Sequence, residues 1–213
     1  MEMVNSGLEE LESIVRREAF VGLLRGVPVT LTQVANKHGL RRDRVRAVLD
    51  QLVAAGAAEV GGDEAIVGAH GVTARTTRHA IVLEERVLHT WCALDAVGIP
   101  VALGLDATAT TTCPTCGARL TVPVRAGRAR SLPLVLWFPT GPCPHLTRDF
   151  CAAANLFCHA AHVEHWKHRA GNPPGRVMSL PEVEDIGGRS WADVAEEGRR
   201  VLAVETARHD QEA

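Results

Sequence analysis

The chain contains no tyrosine, and Trp and Phe together supply only 4% of its residues, so its core must be aliphatic and alanine-rich. Lysine is nearly absent as well: Lys37 and Lys167 are the two, and arginine carries the rest of the positive charge. That usage, with abundant Ala, Gly and Val, reflects GC-rich coding more than function. A net charge of -2 gives no ground for a polyanionic partner. No apolar run reaches the roughly 18 residues a transmembrane helix needs, so a membrane partner is not expected. The stretch from Met1 to Glu12 is acidic and has no basic region before an apolar one. No signal peptide is therefore expected, and a cytoplasmic location is. Phosphate-binding glycine loops and dinucleotide fingerprints are missing too. Serines are too few to argue a Ser-His-Asp arrangement.

The remaining composition, 46% hydrophobic and 23% charged, is that of a globular protein, and 213 residues make one large domain or a small and a medium one. Leu8, Leu11, Ile14, Val15, Leu23 and Leu24 recur at helical spacing up to Gly26. Thr30 caps a short second helix, Arg41 to Ala55 forms a third, and Ala57 to Val67 reads as a small hairpin broken at Gly61-Gly62. Helix, helix, turn, helix, hairpin is the order of a winged helix-turn-helix. Such a module binds DNA or serves as a packing unit. Residues 1–80 hold ten Lys+Arg and ten Asp+Glu, which lacks the basic footprint of DNA binding and favours packing. A hairpin-like stretch from Gly71 to Leu83 leads to a helix beginning near Glu84, carrying Trp91, Cys92 and Asp95 and stopped by Gly98 and Pro100. Strands follow from Val101 to Phe138, then a Pro/Gly loop from Pro139 to His145. A buried strand (Ala152 to Phe157), a helix (Ala160 to Arg169), a turn at Pro173-Pro174-Gly175 and a last charged helix (Trp191 to Arg208) complete the chain. The expected fold is α+β: a winged-helix-like region over residues 1–80, then a mixed, mainly antiparallel β domain with covering helices over 81–213.

In a reducing compartment the six cysteines are expected as thiols, available for metal binding or catalysis. Cys92 and Asp95 lie at i,i+3, on one face of the expected helix. A core thiol beside a solvated carboxylate would be the bland explanation. A second thiol close in space would make the pair a soft-metal site. Cys151 and Cys158 both offer one. Their odd separation puts them on opposite faces of a strand, so only one would join the site.

The residues Trp91-Cys92-Ala93-Leu94-Asp95-Ala96-Val97-Gly98-Ile99-Pro100, preceded by Glu85-Arg86, resemble the active-site helix of the organomercurial (alkylmercury) lyases. Asp149-Phe150-Cys151, with Glu164-His165-Trp166 beyond it, is similar to that family's second active-site segment. The resemblance covers most of the chain and is weak over the last 40 residues. It implies an enzyme that protonolyses the carbon–mercury bond of R-Hg(+) to give R-H and Hg(II). The two catalytic, mercury-binding cysteines then fall on Cys92 and Cys151 and the proton-shuttling acid on Asp95, with Cys158 as the rival second thiol. Trp91, Leu94, Phe150 and Phe157 would shield the reaction. No organic cofactor is implied; the partners are a small organomercurial substrate, low-molecular-weight thiols and a mercuric reductase as receiver of the product.

Cys113-Pro114-Thr115-Cys116-Gly117 is half of a zinc knuckle, which Cys143 of Cys143-Pro144-His145 could complete as a structural zinc site. In the lyase family a cysteine near Cys113 is usual and regarded as structural, whereas Cys116 and Cys143 are departures. His159, His162, His165 and His168 recur every third residue and so drift around a helix, although Cys158 and His162, at i,i+4, could share a metal. Two alternatives stand beside the lyase: a winged-helix sensor or transcriptional regulator reading Hg, Zn or Cu through its thiols, and a lyase-like protein without activity. The paired Asp95 argues for the enzyme, since a sensor needs thiols but no proton donor.

Overall fold

The N–H of Gln33 donates to the Thr30 hydroxyl (3.2 Å) while the N–H of Thr30 donates to the Gln33 side chain (2.7 Å), a capping box that starts the second helix where the sequence puts it. The computed structural model describes the backbone of residues 2–83 and 86–212, with side chains for 7–83 and 86–203. Helices α1 (Glu2–Leu24), α2 (Leu31–Lys37) and α3 (Arg42–Ala54) pack Val15, Phe20, Leu24, Leu31, Val34, Val45 and Leu49 into a common interior. Strands β1 (Ala58–Val60) and β2 (Ile66–Ala69) form the hairpin after them.

That hairpin continues into an eight-stranded antiparallel sheet of order β1-β2-β3-β5-β4-β6-β7-β8, with β3 (Val72–Thr73), β4 (Ala80–Leu83), β5 (Arg86–Thr90), β6 (Ala107–Thr112), β7 (Arg119–Arg125) and β8 (Arg128–Ala129). A second antiparallel sheet has β9 (Val135–Pro139) between β10 (Asn155–Phe157) and β11 (Gly175–Ser179). Helices α4 (Ala93–Ala102), α5 (Ala160–Arg169), α6 (Leu180–Ser190) and α7 (Ala192–Glu212) cover the sheets. The fold is α+β and mainly antiparallel, as expected. The large sheet runs unbroken across residue 80, where Val72 on β3 lies opposite Thr90 on β5, and one hydrophobic cluster extends from Leu11 to Leu202. No helix among the described residues is long and apolar enough to cross a membrane.

Three expectations need correction. The helix expected near Glu84 does not form. Residues 86–90 are strand β5, with Leu88 opposite Ile81 and Val87 opposite Val82, because β-branched cross-strand pairs outweigh an accidental helical spacing. Glu84 and Glu85 lie outside the described residues. The helix starts instead at Ala93, and Gly98 and Pro100 lie within it. As a consequence Val101 lies in the helix and Leu103 caps its end, so the strand run begins only at Ala107. The strand expected over 152–157 is confined to Asn155–Phe157, and β11 and α6 were not foreseen.

Every residue of α4 from Ala93 to Pro100 is buried, so it is an interior helix, apolar on all sides but for Asp95. It can lie there because Gly98 meets α6 at Gly187. A Cβ on Gly187 would stand 2.5 Å from the Gly98 Cα, and one on Gly98 would stand 2.4 Å from the Trp191 ring. Two glycines let the helix backbones touch.

Candidate active site

Cys92 is the N-cap of α4, in extended backbone, and Asp95 is the third residue of the helix. The N–H of Cys92 donates to Asp95 Oδ2 (2.8 Å) and the N–H of Asp95 donates to the Cys92 sulfur. The pair is therefore a capping box built from a thiol and a carboxylate, not two side chains sharing a helix face. Thr90 Oγ1 donates to the Cys92 carbonyl (3.1 Å) and the Ala93 N–H to the Ala154 carbonyl (3.1 Å), which ties this turn to the segment just before β10. Gly71 completes the cradle. Its φ is +85°, and a Cβ there would lie 2.7 Å from the Asp95 carboxyl, so only glycine leaves that carboxyl its space.

Cys151 comes from the other side of the cleft. It is not on a strand but at the end of a π-helical turn, Leu146–Cys151, in which the Ala152 N–H reaches back to the Thr147 carbonyl (3.1 Å). The parity argument that set Cys151 against Cys158 therefore does not apply. π turns recur at functional sites because they re-aim one side chain. The N-terminal region holds this one: the Leu146 N–H donates to the Ala55 carbonyl (2.8 Å), and the His145 ring sits where a Cβ of Gly56 would be, 2.3 Å from that point. Asp149 is occupied in bracing the same turn, accepting from the His145 N–H (2.8 Å) and from Arg148 Nε (2.7 Å). The outcome is that Cys92 Sγ, a carboxylate oxygen of Asp95 and Cys151 Sγ all lie within 4.8 Å of one another, and all three residues are buried.

Asp95 and Cys151 open on a cleft of about 230 Å³, with Cys92 buried behind them. Trp91, Leu94 and Phe150, expected from the sequence, line it together with Phe138, Leu146, Ile186 and Trp191, which were not. Phe157 does not line it; fully buried, its ring packs on Trp166 with centroids 5.6 Å apart. His70 contributes backbone in the left-handed region (φ 49°), and its carbonyl accepts from Trp191 Nε1 (2.8 Å). Burial, then the charge of Arg16, holds the His70 imidazole down at about 4, so it lies neutral beside the site.

Burial pushes the Asp95 carboxyl up to about 7, against the lowering effect of its hydrogen bonds to Cys92. Burial also pushes the Cys92 thiol up, helped by the Cys151 sulfur and the charge of Asp95. A carboxyl group that is half protonated near neutrality can both take and give a proton. It also couples folding to pH. Between its ordinary value and about 7 the folded chain holds a proton that the unfolded chain has lost. The group's contribution to stability is thus complete at low pH and is lost as pH rises through about 7. Asp95→Asn has no such proton. Denaturant melts should show wild type losing stability relative to the variant from about pH 4 to about pH 7. A pH-independent difference would mean that Asp95 is ionised throughout.

The other cysteines sort differently from the expectation. Cys113, Cys116, Cys158 and His162 gather their donor atoms within 4.8 Å of one another, while Cys143 is exposed and outside that group. Cys143 therefore does not complete the Cys113/Cys116 set; burial, then the nearby Asp149 carboxylate, raises its thiol. Cys158, the rival second thiol, stands with Cys116 (sulfurs 3.6 Å apart) and is not grouped with Cys92. Burial raises Cys113, but the N–H groups of Cys116, Cys158 and Thr115 and the His162 ring outweigh it and hold the thiol down at about 6. Burial and the neighbouring Cys116 and Cys113 push Cys158 up to about 12.

Two buried thiols and a carboxyl gathered at the wall of an apolar cleft, in an α+β fold, are a donor set of the kind that suits a soft metal. Residues 72–192, more than half of the chain, match the family model for alkylmercury lyase, and the chain belongs to that family. It is thereby an enzyme of the carbon–mercury lyase class. It is 29% identical over 177 residues to the alkylmercury lyase of Pseudomonas putida, covering 79% of each chain. With the alkylmercury lyase of Streptomyces lividans it shares 28% identity over 169 residues, covering 78% of this chain and 76% of that one. Its fold superposes on the crystal structure of the mercury-bound form of MerB2 with a TM-score of 0.79 at 24% identity, covering 88% of this chain and 96% of that one.

Proposed function

We propose that the protein cleaves the carbon–mercury bond of small organomercurials, with Cys92 and Cys151 as the metal-binding thiols and Asp95 as the proton shuttle. The observation that carries this reading is the buried Cys92–Asp95–Cys151 group, in which a carboxyl that titrates near neutrality stands beside two thiols.

One thiol displaces the counter-ligand of R-Hg(+), and its proton leaves with that ligand. The other thiol gives its proton to the Asp95 carboxylate and binds the metal as thiolate. Two thiolates raise the electron density on mercury and weaken its bond to carbon. Protonated Asp95 then donates to that carbon; the Hg–C electron pair becomes the C–H bond, and R-H leaves. Hg(II) stays on the two sulfurs and Asp95 is again a carboxylate, so protons and charge balance. The apolar walls Trp91, Phe138 and Phe150 take the organic group and keep water from competing as the proton source.

Low-molecular-weight thiols in a reducing cytoplasm would carry the product away, to a mercuric reductase where one is present. DNA is not the partner in this reading. Arg41 pairs with Asp43, and Arg42 and Arg46 share Glu64, so two carboxylates offset two of the four arginine charges at the start of α3, and residues 1–80 as a whole carry no net charge. The test is incubation with phenylmercuric acetate and excess thiol, measuring benzene. Release that depends on enzyme concentration supports the reading, and none above the protein-free rate overturns it.

A further inference from the structure

The geometry points to a second metal site, a structural zinc held by Cys113, Cys116, Cys158 and His162. It clips the β6–β7 turn to the start of α5. Two edges of the donor set fit a tetrahedron. Cys116 and Cys158 sulfurs are 3.6 Å apart, and Cys113 Sγ and His162 Nδ1 are 3.5 Å apart. Tetrahedral zinc, with Zn–S about 2.3 Å and Zn–N about 2.0 Å, spaces two sulfurs about 3.8 Å apart and a sulfur and a nitrogen about 3.5 Å apart. The four donor atoms lie within 4.8 Å of one another.

The local backbone is made for a metal. Cys113 and Cys116, with two residues between them, flank a tight turn in which the Gly117 N–H donates to the Cys113 carbonyl (2.9 Å) and Gly117 takes φ +73°. The N–H groups of Thr115, Cys116 and Cys158 converge on the Cys113 sulfur, as donors do around metal-bound thiolates. Cys158 faces the turn from between β10 and α5 and His162 from the first turn of α5, and Thr115 Oγ1 donates to the His162 carbonyl (2.7 Å), which fixes the helix start against the turn. Three sulfurs and one imidazole, in two short-spaced pairs, are the donor set of closed structural zinc sites. All six cysteines are free, and the 3.6 Å between the Cys116 and Cys158 sulfurs is far beyond a disulfide bond.

The site is separate from the reacting group, so its test does not depend on the lyase reading. β10 runs from Asn155 to Phe157, immediately before Cys158, and Ala154 accepts from the Ala93 N–H beside Cys92. A clip at Cys158 therefore holds the segment that joins the two halves of the catalytic group.

Protein purified without chelator, in reduced form, should carry about one zinc per chain by elemental analysis. Cys116→Ser and Cys158→Ser should drop below about a tenth of that, while Cys143→Ser keeps it. Cobalt(II) added to chelator-stripped wild type should give the intense d–d bands and thiolate charge-transfer absorption of a tetrahedral thiolate site, and should give the same in Cys143→Ser. This readout stands even if a Cys158 variant fails to fold. Wild type that binds neither metal, or zinc lost in Cys143→Ser and kept in Cys116→Ser, overturns the assignment. So does a count of four free thiols in the denatured chain with a peptide map that links Cys116 to Cys158.

Discussion

Asp95→Asn is expected to slow benzene release from phenylmercuric acetate by a factor of about 10² to 10⁴, the range that a positioned general acid contributes. The substitution is chosen so that the loss has one cause. An amide oxygen can still accept the Cys92 N–H that Asp95 accepts at 2.8 Å, so the capping box survives. Removing a carboxyl whose charge burial opposes leaves the variant at least as stable as wild type at pH 7 and above. Both thiols remain, so Hg(II) binding should keep its stoichiometry while turnover collapses. Rapid-quench measurement of benzene, beside a mercury titration of the same sample, separates the two. A variant within about threefold of wild type would take the proton-transfer role away from Asp95. Loss of mercury binding along with turnover would make its role one of ligation.

How far this site was legible in the sequence depends on the range of the forces that build it. The bounds of α5, Ala160–Arg169, and the capping box of α2 at Thr30 were readable because they rest on periodicity and on contacts three or four residues long. The closeness of Cys92 and Asp95 was readable for the wrong reason. Spacing pointed to a shared helix face, whereas the residues meet across an N-cap after a strand whose pairing with Ile81 no local pattern announces. The π turn of Cys151 has no periodicity at all. It exists because Ala55 and Gly56, some 90 residues earlier, supply a carbonyl and a space for His145. The same limit explains Cys143. Its spacing from Cys116 suited a zinc set, but Cys158 and His162 were the pair brought to the knuckle, and only their i,i+4 relation could be seen beforehand. One signal was present and unread. Ser179-Leu180-Pro181-Glu182 is a capping box with proline at the helix start, and it opens α6, which supplies Gly187 and Ile186 to the packing and the cleft.

The choice between Cys151 and Cys158 yields the other large effect. Cys151→Ser replaces a soft, ionisable ligand with a hydroxyl that stays protonated and binds mercury poorly. It should lower turnover by more than about 10², with the fold intact, since Ser is smaller than Cys by a fraction of a methylene and the segments around it are braced by the Leu146 N–H to Ala55 and Ala93 N–H to Ala154 hydrogen bonds. Cys158→Ser acts on another group of donors, 3.6 Å from Cys116 and outside the Cys92 group. Its expected signature is a lower melting temperature and a loss of bound zinc, with turnover at low temperature reduced by less than about tenfold. The discriminating measurement is turnover at a temperature where circular dichroism shows both variants folded. A Cys158 variant that is folded but inactive, beside a Cys151 variant that still turns over, would move the second thiol to Cys158 and dissolve the separation of the two sites. The expected pattern keeps them apart: two thiols and a carboxyl that meet the substrate, and three thiols and an imidazole that hold in place the segment bearing one of them.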